Sequence, residues 1–217
     1  MEFLEKLEKE IKSLFSSESS GHDFQHLKRV LNIALHIQKI EGGDEAVVVA
    51  SVLLHDVHRL IQQETGKYCS PKDSLPTIKK ILEKASLPKE KVEKILQCIE
   101  HHEDYGFSES GKTVKYIETQ ILQDADRLDA IGAIGIGRTF TYGGAYNIPM
   151  WVPEVPLEGK KYEDEKNDPS TIHHFYNKLL KLNKDMNTET ARKMANNRHK
   201  FLESFLKEFF AEWKGER

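Results

Sequence analysis

Apolar residues at Phe3, Leu4, Leu7, Ile11, Leu14 and Phe15 recur at helical spacing, which predicts an amphipathic helix ended by SSESSG at 16–21. A second helix is expected from Asp23, as N-cap, to about Ile40. His26, Val30, Ile33, Ala34 and Ile37 line its buried face, and Gly42-Gly43 stops it. From Asp44 to about Ile61 the run VVVASVLL leaves no polar face, so the segment predicts one buried helix, too long for an ordinary strand. Val47–Val49 is the one place where a strand could hide. Ser70-Pro71 and Leu87-Pro88 read as helix starts with proline in the first turn, running to about Ala85 and about His102. After a loop over Glu103–Gly111, a helix passes through Ile117, Ile121, Leu122 and Ala125. The glycine-bearing run IGAIGIGRTF and a break at Tyr142-Gly143-Gly144 follow. Residues 147–170 carry four of the seven prolines and predict a long ordered excursion or lid, and helices at about 171–182 and 188–214 close the chain. About eight helices without a hairpin signal or a repeat give an all-α architecture.

Composition narrows this picture without redirecting it. At 217 residues the chain has the length of one domain with an added helical lobe. The net charge of −3 is spread rather than blocked, which argues against general nucleic-acid binding. Cys69 and Cys98 show no metal-ligand spacing, so a disulfide framework and a Cys-rich zinc site are both disfavoured and a reducing cytoplasm is expected. No apolar stretch approaches the roughly 18 residues of a membrane span.

The chemistry lies in the histidines. Ten occur, at 22, 26, 36, 55, 58, 101, 102, 173, 174 and 199, several of them on apolar helix faces. His26 shares a face with Val30 and Ile33, His55 and Asp56 end the aliphatic run, His102 shares a face with Ile95 and Ile99, and Asp126 follows Leu122 by four. Burying so many ionisable groups is costly unless they are paired or metal-bound. Any one taken singly reads as a histidine hydrogen-bonded to a carboxylate. Two imidazoles with two carboxylates make a mixed donor set suited to Mn²⁺, Fe²⁺, Co²⁺, Ni²⁺ or Zn²⁺, with a softer claim on Mg²⁺. An adjacent His-Asp pair is an awkward chelate on a regular helix, whose neighbouring positions point about 100° apart.

HDFQHLKRV at 22–30, LLHDV at 53–57, IEHHE at 99–103 and QDADRLDAIGAIGIGRTF at 123–140 resemble, in this order, the HD superfamily of metal-dependent phosphohydrolases. HHFYNKLLKL followed by MNTETARKMANNR resembles the bacterial branch associated with nucleoside triphosphate pyrophosphohydrolase activity. The resemblance implies a single HD-type helical bundle with additional C-terminal helices. Its parts would be a metal-binding core at about 22–140, a long loop or lid at about 142–170 and C-terminal helices at about 171–214. It places the metal ligands on His26, His55, Asp56 and Asp126, around one divalent ion with Mn²⁺ favoured. The implied reaction converts (deoxy)nucleoside triphosphates to monophosphate and pyrophosphate. A 5′-nucleotidase or phosphodiesterase using the same ion, or a nucleotide-binding module without turnover, are the alternatives.

Asp126 is also a candidate for assisting deprotonation of water. His102 fits the family's histidine after the metal-binding helix, as a proton donor, a phosphate ligand or simply a helix-end cap; His58 and Arg59 stand where relatives often place an acid. His22 could face the pocket, while Asp23 reads as a cap. Asp124 and Asp129 read as solvent-facing or capping residues, or as groups that orient a ligand. Basic candidates for a polyphosphate are Arg29, Arg127, Arg138, Lys178 and Arg198, of which Lys178 in the KLL motif is the best placed. GAIGIG lacks the phosphate-loop pattern and a preceding strand, so it predicts close helix packing. The stripe Phe201, Phe205, Phe209 and Trp213 predicts core or a homodimer surface. The expected partner is a nucleotide or another phosphorylated small molecule, with no membrane.

Overall fold

The computed structural model describes residues 2–15, 21–84, 87–107, 114–157 and 168–217. Its elements are α1 (Glu2–Leu14), α2 (Phe24–Glu41), α3 (Glu45–Leu54), α4 (Val57–Thr65), α5 (Pro71–Glu83), α6 (Lys89–Glu100), α7 (Ile117–Asp129) and α8 (Gly132–Ala145). Then come α9 (Thr171–His174), a π-helical turn (Phe175–Leu179), α10 (Leu180–Leu182), a 3₁₀ turn (Asn183–Asp185) and α11 (Glu189–Trp213). The protein is all-α, with no strand among the described residues.

The almost entirely apolar α3 dictates the architecture. Val47 to Leu54 are all buried, so the helix must be covered on every side, and α1, α2, α6 and α7 pack around it. The Asp44 carboxylate accepts from the N–H groups of Ala46 and Val47, fixing where α3 begins and removing the strand alternative at Val47–Val49. α2 lies between α3 and α7, burying the predicted face of His26, Val30, Ile33, Ala34 and Ile37. Asp23 caps it by accepting from the His26 N–H at 2.8 Å. α5 opens with a reciprocal cap between Ser70 and Asp73 and has Pro71 in its first turn, as the sequence predicts.

Three expectations are corrected. The single helix expected over 44–61 is two helices, broken at His55-Asp56, where Asp56 leaves helical geometry at φ −91°, ψ 10°. The break expected at Tyr142-Gly143-Gly144 does not occur, because α8 runs through it to Ala145. Its glycines permit close packing: a Cβ at Gly135 would strike the Ala130 carbonyl, and one at Gly143 would strike Thr171 Oγ1. The helix expected over 171–182 is interrupted by the π turn at Phe175–Leu179. Part of the proposed lid, 158–167, lies outside the described residues, as do SSESS at 16–20, the helix end at 85–86 and the loop residues 108–113. The described flanks of that excursion are tied down: Thr171 and Ile172 donate N–H bonds to the carbonyls of Pro149 and Met150, and Trp151 stacks on His173.

α11 packs on α8 and α7, with Phe205 against Phe140 and Phe175. Phe201 and Trp213 of the same stripe remain exposed. No helix among the described residues is long and apolar enough to cross a membrane. Cys69 and Cys98 are free and buried.

Candidate metal centre

The break between α3 and α4 resolves the awkward geometry of an adjacent His-Asp pair. At the end of α3 the Val52 carbonyl accepts from the His55 ring at Nδ1 (2.7 Å), which directs Nε2 inward. Asp56, outside helical geometry, turns its carboxylate to the same point. His26 reaches that point from the first turn of α2 and Asp126 from the last turn of α7. His26 Nε2 lies 3.4 Å from His55 Nε2, 3.4 Å from Asp56 Oδ2 and 3.5 Å from Asp126 Oδ1. His55 Nε2 lies 3.7 Å from Asp56 Oδ1 and 3.9 Å from Asp126 Oδ1. Donor atoms about 2.1 Å from a shared ion stand roughly 3–3.5 Å apart; His26, His55 and Asp126 form one group close enough to hold a cation, and His55, Asp56 and His102 form a second that shares His55. Asp56 Oδ2 is buried without a hydrogen-bond donor, which also fits an ion.

The electrostatics keep both carboxylates charged. Burial opposes ionisation of Asp56 most strongly, yet the His55 charge and the close His26 imidazole hold its pKa well below the usual range. Burial likewise acts most strongly on Asp126, and the charges of His55 and His26 prevail over it and over the repulsion of Asp56, lowering its pKa. For His26, burial and the Arg138 charge push the pKa down, while the carboxylates of Asp129 and Asp56 outweigh them and raise it.

Asp129 is the support beneath this cluster. Its Oδ2 accepts from His26 Nδ1 at 2.8 Å, Arg29 reaches both of its oxygens, and Arg138 lies 3.0 Å from Oδ2. It is buried, not solvent-facing. Asp124 is buried as well: its oxygens accept from the backbone and side chains of Asn187 and Thr188, capping α11.

A cleft opens beside the cluster. Asp56 and Asp126 border it, Asp126 with about 20% of its side chain exposed. His22, Arg127, Arg138 and Lys178 also border it, so four basic groups expected near a polyphosphate do lie there. Arg29 does not, because Asp129 claims it, and neither does Arg198, which donates to the Leu128 carbonyl and packs on Gly132. His102 is also absent from the cleft lining. It sits behind His55 at 5.1 Å between ring centres, with Nδ1 on the Ile99 carbonyl. Burial, aided by the charges of His55 and His58 and opposed by Glu103, pushes its pKa down to about 4.

Sequence reasoning missed two cleft-side groups. Glu103 borders the cleft and is fixed by Arg59 at 2.5 Å, so an acid does reach the neighbourhood of the HD pair, but from the end of α6 rather than from α4. His174 borders the cleft with Nδ1 bound to Asp168 at 2.7 Å. The adjacent histidines at 101–102 and 173–174 were visible signals, but their acidic partners are set by loop geometry that periodicity does not carry.

Comparison with known proteins places this geometry. The HD domain family profile matches residues 23–131, which contain all four members of the cluster. The uncharacterized protein YpgQ of Bacillus subtilis is 34% identical over 201 residues, covering 91% of this chain and 87% of that one. Among solved structures, an HD-superfamily hydrolase from Bacillus thuringiensis matches with a TM-score of 0.72 at 33% identity, over 98% of this chain and 97% of that one. YpgQ in complex with ADP matches with a TM-score of 0.69 at 31% identity, over 94% of this chain and 97% of that one.

Proposed function

The chain belongs to the HD-domain family, and from that premise we propose that it is a divalent-metal-dependent phosphohydrolase that converts (deoxy)nucleoside triphosphates to monophosphate and pyrophosphate. The observation that carries this reading is the grouping of His26, His55 and Asp126, with Asp56 against both imidazoles, beside a cleft with basic side chains. These four would hold one divalent ion; two imidazole nitrogens with two hard carboxylate oxygens suit Mn²⁺, Fe²⁺, Co²⁺, Ni²⁺ or Zn²⁺, and Mn²⁺ is the ion the resemblance favours. Such an ion supplies Lewis acidity toward a phosphoryl oxygen and acidifies water.

The remaining steps fall to the chain's own groups. Asp126, ionised and at the cleft edge, is placed to take a proton from the attacking water. Asp129 holds the His26 ring in place. Attack at the α-phosphorus breaks the α–β anhydride, and the charge gathering on the departing pyrophosphate meets a wall that includes His22, Arg138 and Lys178. The ADP complex of YpgQ supports a nucleotide as the ligand class. Two buried free thiols accord with a reducing cytoplasm.

The test is turnover of a ribo- and deoxyribonucleotide panel by metal-stripped protein reloaded with Mn²⁺, Mg²⁺, Co²⁺ or Ni²⁺, with products identified by phosphorus NMR. Pyrophosphate release that disappears in Asp56→Ala is the expected result. Orthophosphate release would move the reading to a nucleotidase. Metal-dependent nucleotide binding without turnover would move it to a binding module.

A further inference from the structure

Two further imidazoles, His58 in the first turn of α4 and His102 just beyond the end of α6, face each other with ring centres 5.5 Å apart. Each is about 1% exposed. Their orientations are fixed in the same way: the His58 Nδ1 donates to the His55 carbonyl at 2.9 Å, and the His102 Nδ1 to the Ile99 carbonyl at 2.7 Å. A carbonyl only accepts, so each Nδ1 carries a proton and each neutral ring is left with a bare lone pair on Nε2. Neither Nε2 has a hydrogen-bond partner among the described residues. Two imidazolium rings side by side in a buried pocket would repel, which favours the neutral form of both.

Glu103 completes the arrangement. Its Oε1 lies 3.7 Å from the His58 Nε2, too far for a hydrogen bond, and Arg59 holds the same oxygen at 2.5 Å. One ligand atom from each of His58, His102 and Glu103 lies within 4.8 Å of the other two. Buried lone pairs aimed together beside a carboxylate are costly unless a cation or a donor stands between them. His102 also comes near His55 and Asp56, but those two already face Asp126 and His26, so the partner that accounts for the bare Nε2 of both outer imidazoles lies on the His58 side.

We propose that His58, His102 and Glu103 form a second, separate divalent-cation site that takes Zn²⁺. Two imidazole nitrogens and one carboxylate are a donor set that Zn²⁺ accepts with water as its fourth ligand. Arg59 offsets the charge of Glu103, so the pocket offers little net attraction to a hard ion, and nitrogen-bearing donors bind Zn²⁺ ahead of Mn²⁺. The site shares no donor with His26, His55, Asp56 and Asp126 and needs neither nucleotide nor turnover. An ion there pins α4, through His58, to the chain that leaves α6, and fixes Glu103 where it borders the cleft.

The experiment titrates metal-stripped full-length protein with Zn²⁺ against a chelating dye, in wild type, Asp126→Asn, His58→Gln and Glu103→Gln, with helical content recorded for each. Wild type is expected to bind one ion at each site. His58→Gln and Glu103→Gln keep the first ion and weaken the second by more than about a hundredfold, beyond what loss of a supporting residue costs, while Asp126→Asn weakens the first and keeps the second. His58 is buried; should its variant fail to fold, Glu103→Gln, at a position with 26% of its side chain exposed, decides. Zn²⁺ binding that is unchanged in the folded variants, or lost only with Asp126→Asn, would overturn the site and leave a water donating to the two Nε2 atoms in its place. Wild-type protein that binds both ions yet hydrolyses no nucleotide would sink the proposed reaction and leave this site standing.

Discussion

Asp129 concentrates the residue-scale physics of the site. Arg29, Arg138 and the His26 Nδ1 all converge on it, and burial, the strongest influence on its own ionisation, is overcome by those three neighbours. A carboxylate that grips the far nitrogen of a metal-facing imidazole fixes the ring's tautomer and aim. Asp129→Asn should therefore lower Mn²⁺ affinity about 10–100-fold, as measured by competition against a chelating dye, with helical content retained. Unchanged affinity would mean that the His26 ring needs no such support. This role was only half legible in the sequence. The motif resemblance singles out Asp126, but Asp129 three residues on looks the same as a helix-end cap until α2 is docked on α7. Glu103 and His174 were harder still, because their significance depends on which loop meets which helix.

At the scale of elements, periodicity located most of the helices; Asp23 caps α2 as expected, and Asp44 and Ser70 also accept first-turn N–H bonds at the starts of α3 and α5. It failed where a helix is interrupted by geometry rather than composition. The run through VVVASVLLHDV contains no glycine or proline, so nothing local marks the break at His55-Asp56, and the π turn in FYNKL is equally silent. The cap at Asp44 makes a quantitative test. Burial acts against its ionisation, but the Lys91 ammonium at 2.8 Å and the Ala46 and Val47 N–H groups prevail, so its folded pKa lies below its ordinary value. A carboxyl depressed in the folded state stabilises above its unfolded pKa of about 3.9, and that contribution is lost as the pH falls through the folded value. Asp44→Ala should cost about 1 kcal/mol at pH 7 by urea unfolding, and the gap to wild type should narrow as acid takes the pH through the folded value, below the ordinary carboxylate range. A gap that persists there would assign the stabilisation to packing rather than to charge and capping.

For the whole molecule, the cluster sits where three helices meet: His26 on α2, His55 and Asp56 at the end of α3, and Asp126 on α7. α3 is the helix that α1, α2, α6 and α7 pack around, and α7 carries on into α8 and supports α11. An ion shared by these three helices would therefore tie the global core rather than a peripheral loop, and its binding free energy would appear in global unfolding. At a free metal concentration a hundred times the Kd, linkage gives about 2.7 kcal/mol. For a chain of this length each kcal/mol moves the melting point about 2–4 °C, so saturating Mn²⁺ should raise Tm by roughly 5–11 °C in one cooperative transition. A chelator should reverse the rise, and Asp56→Ala should abolish it. His174→Gln, which alters only the far wall of the cleft, should leave it intact. A metal-induced rise that survives Asp56→Ala would place the ion elsewhere in the molecule, and the absence of any rise with Mn²⁺, Co²⁺, Ni²⁺ or Mg²⁺ would leave the buried His/Asp cluster as a paired structural network.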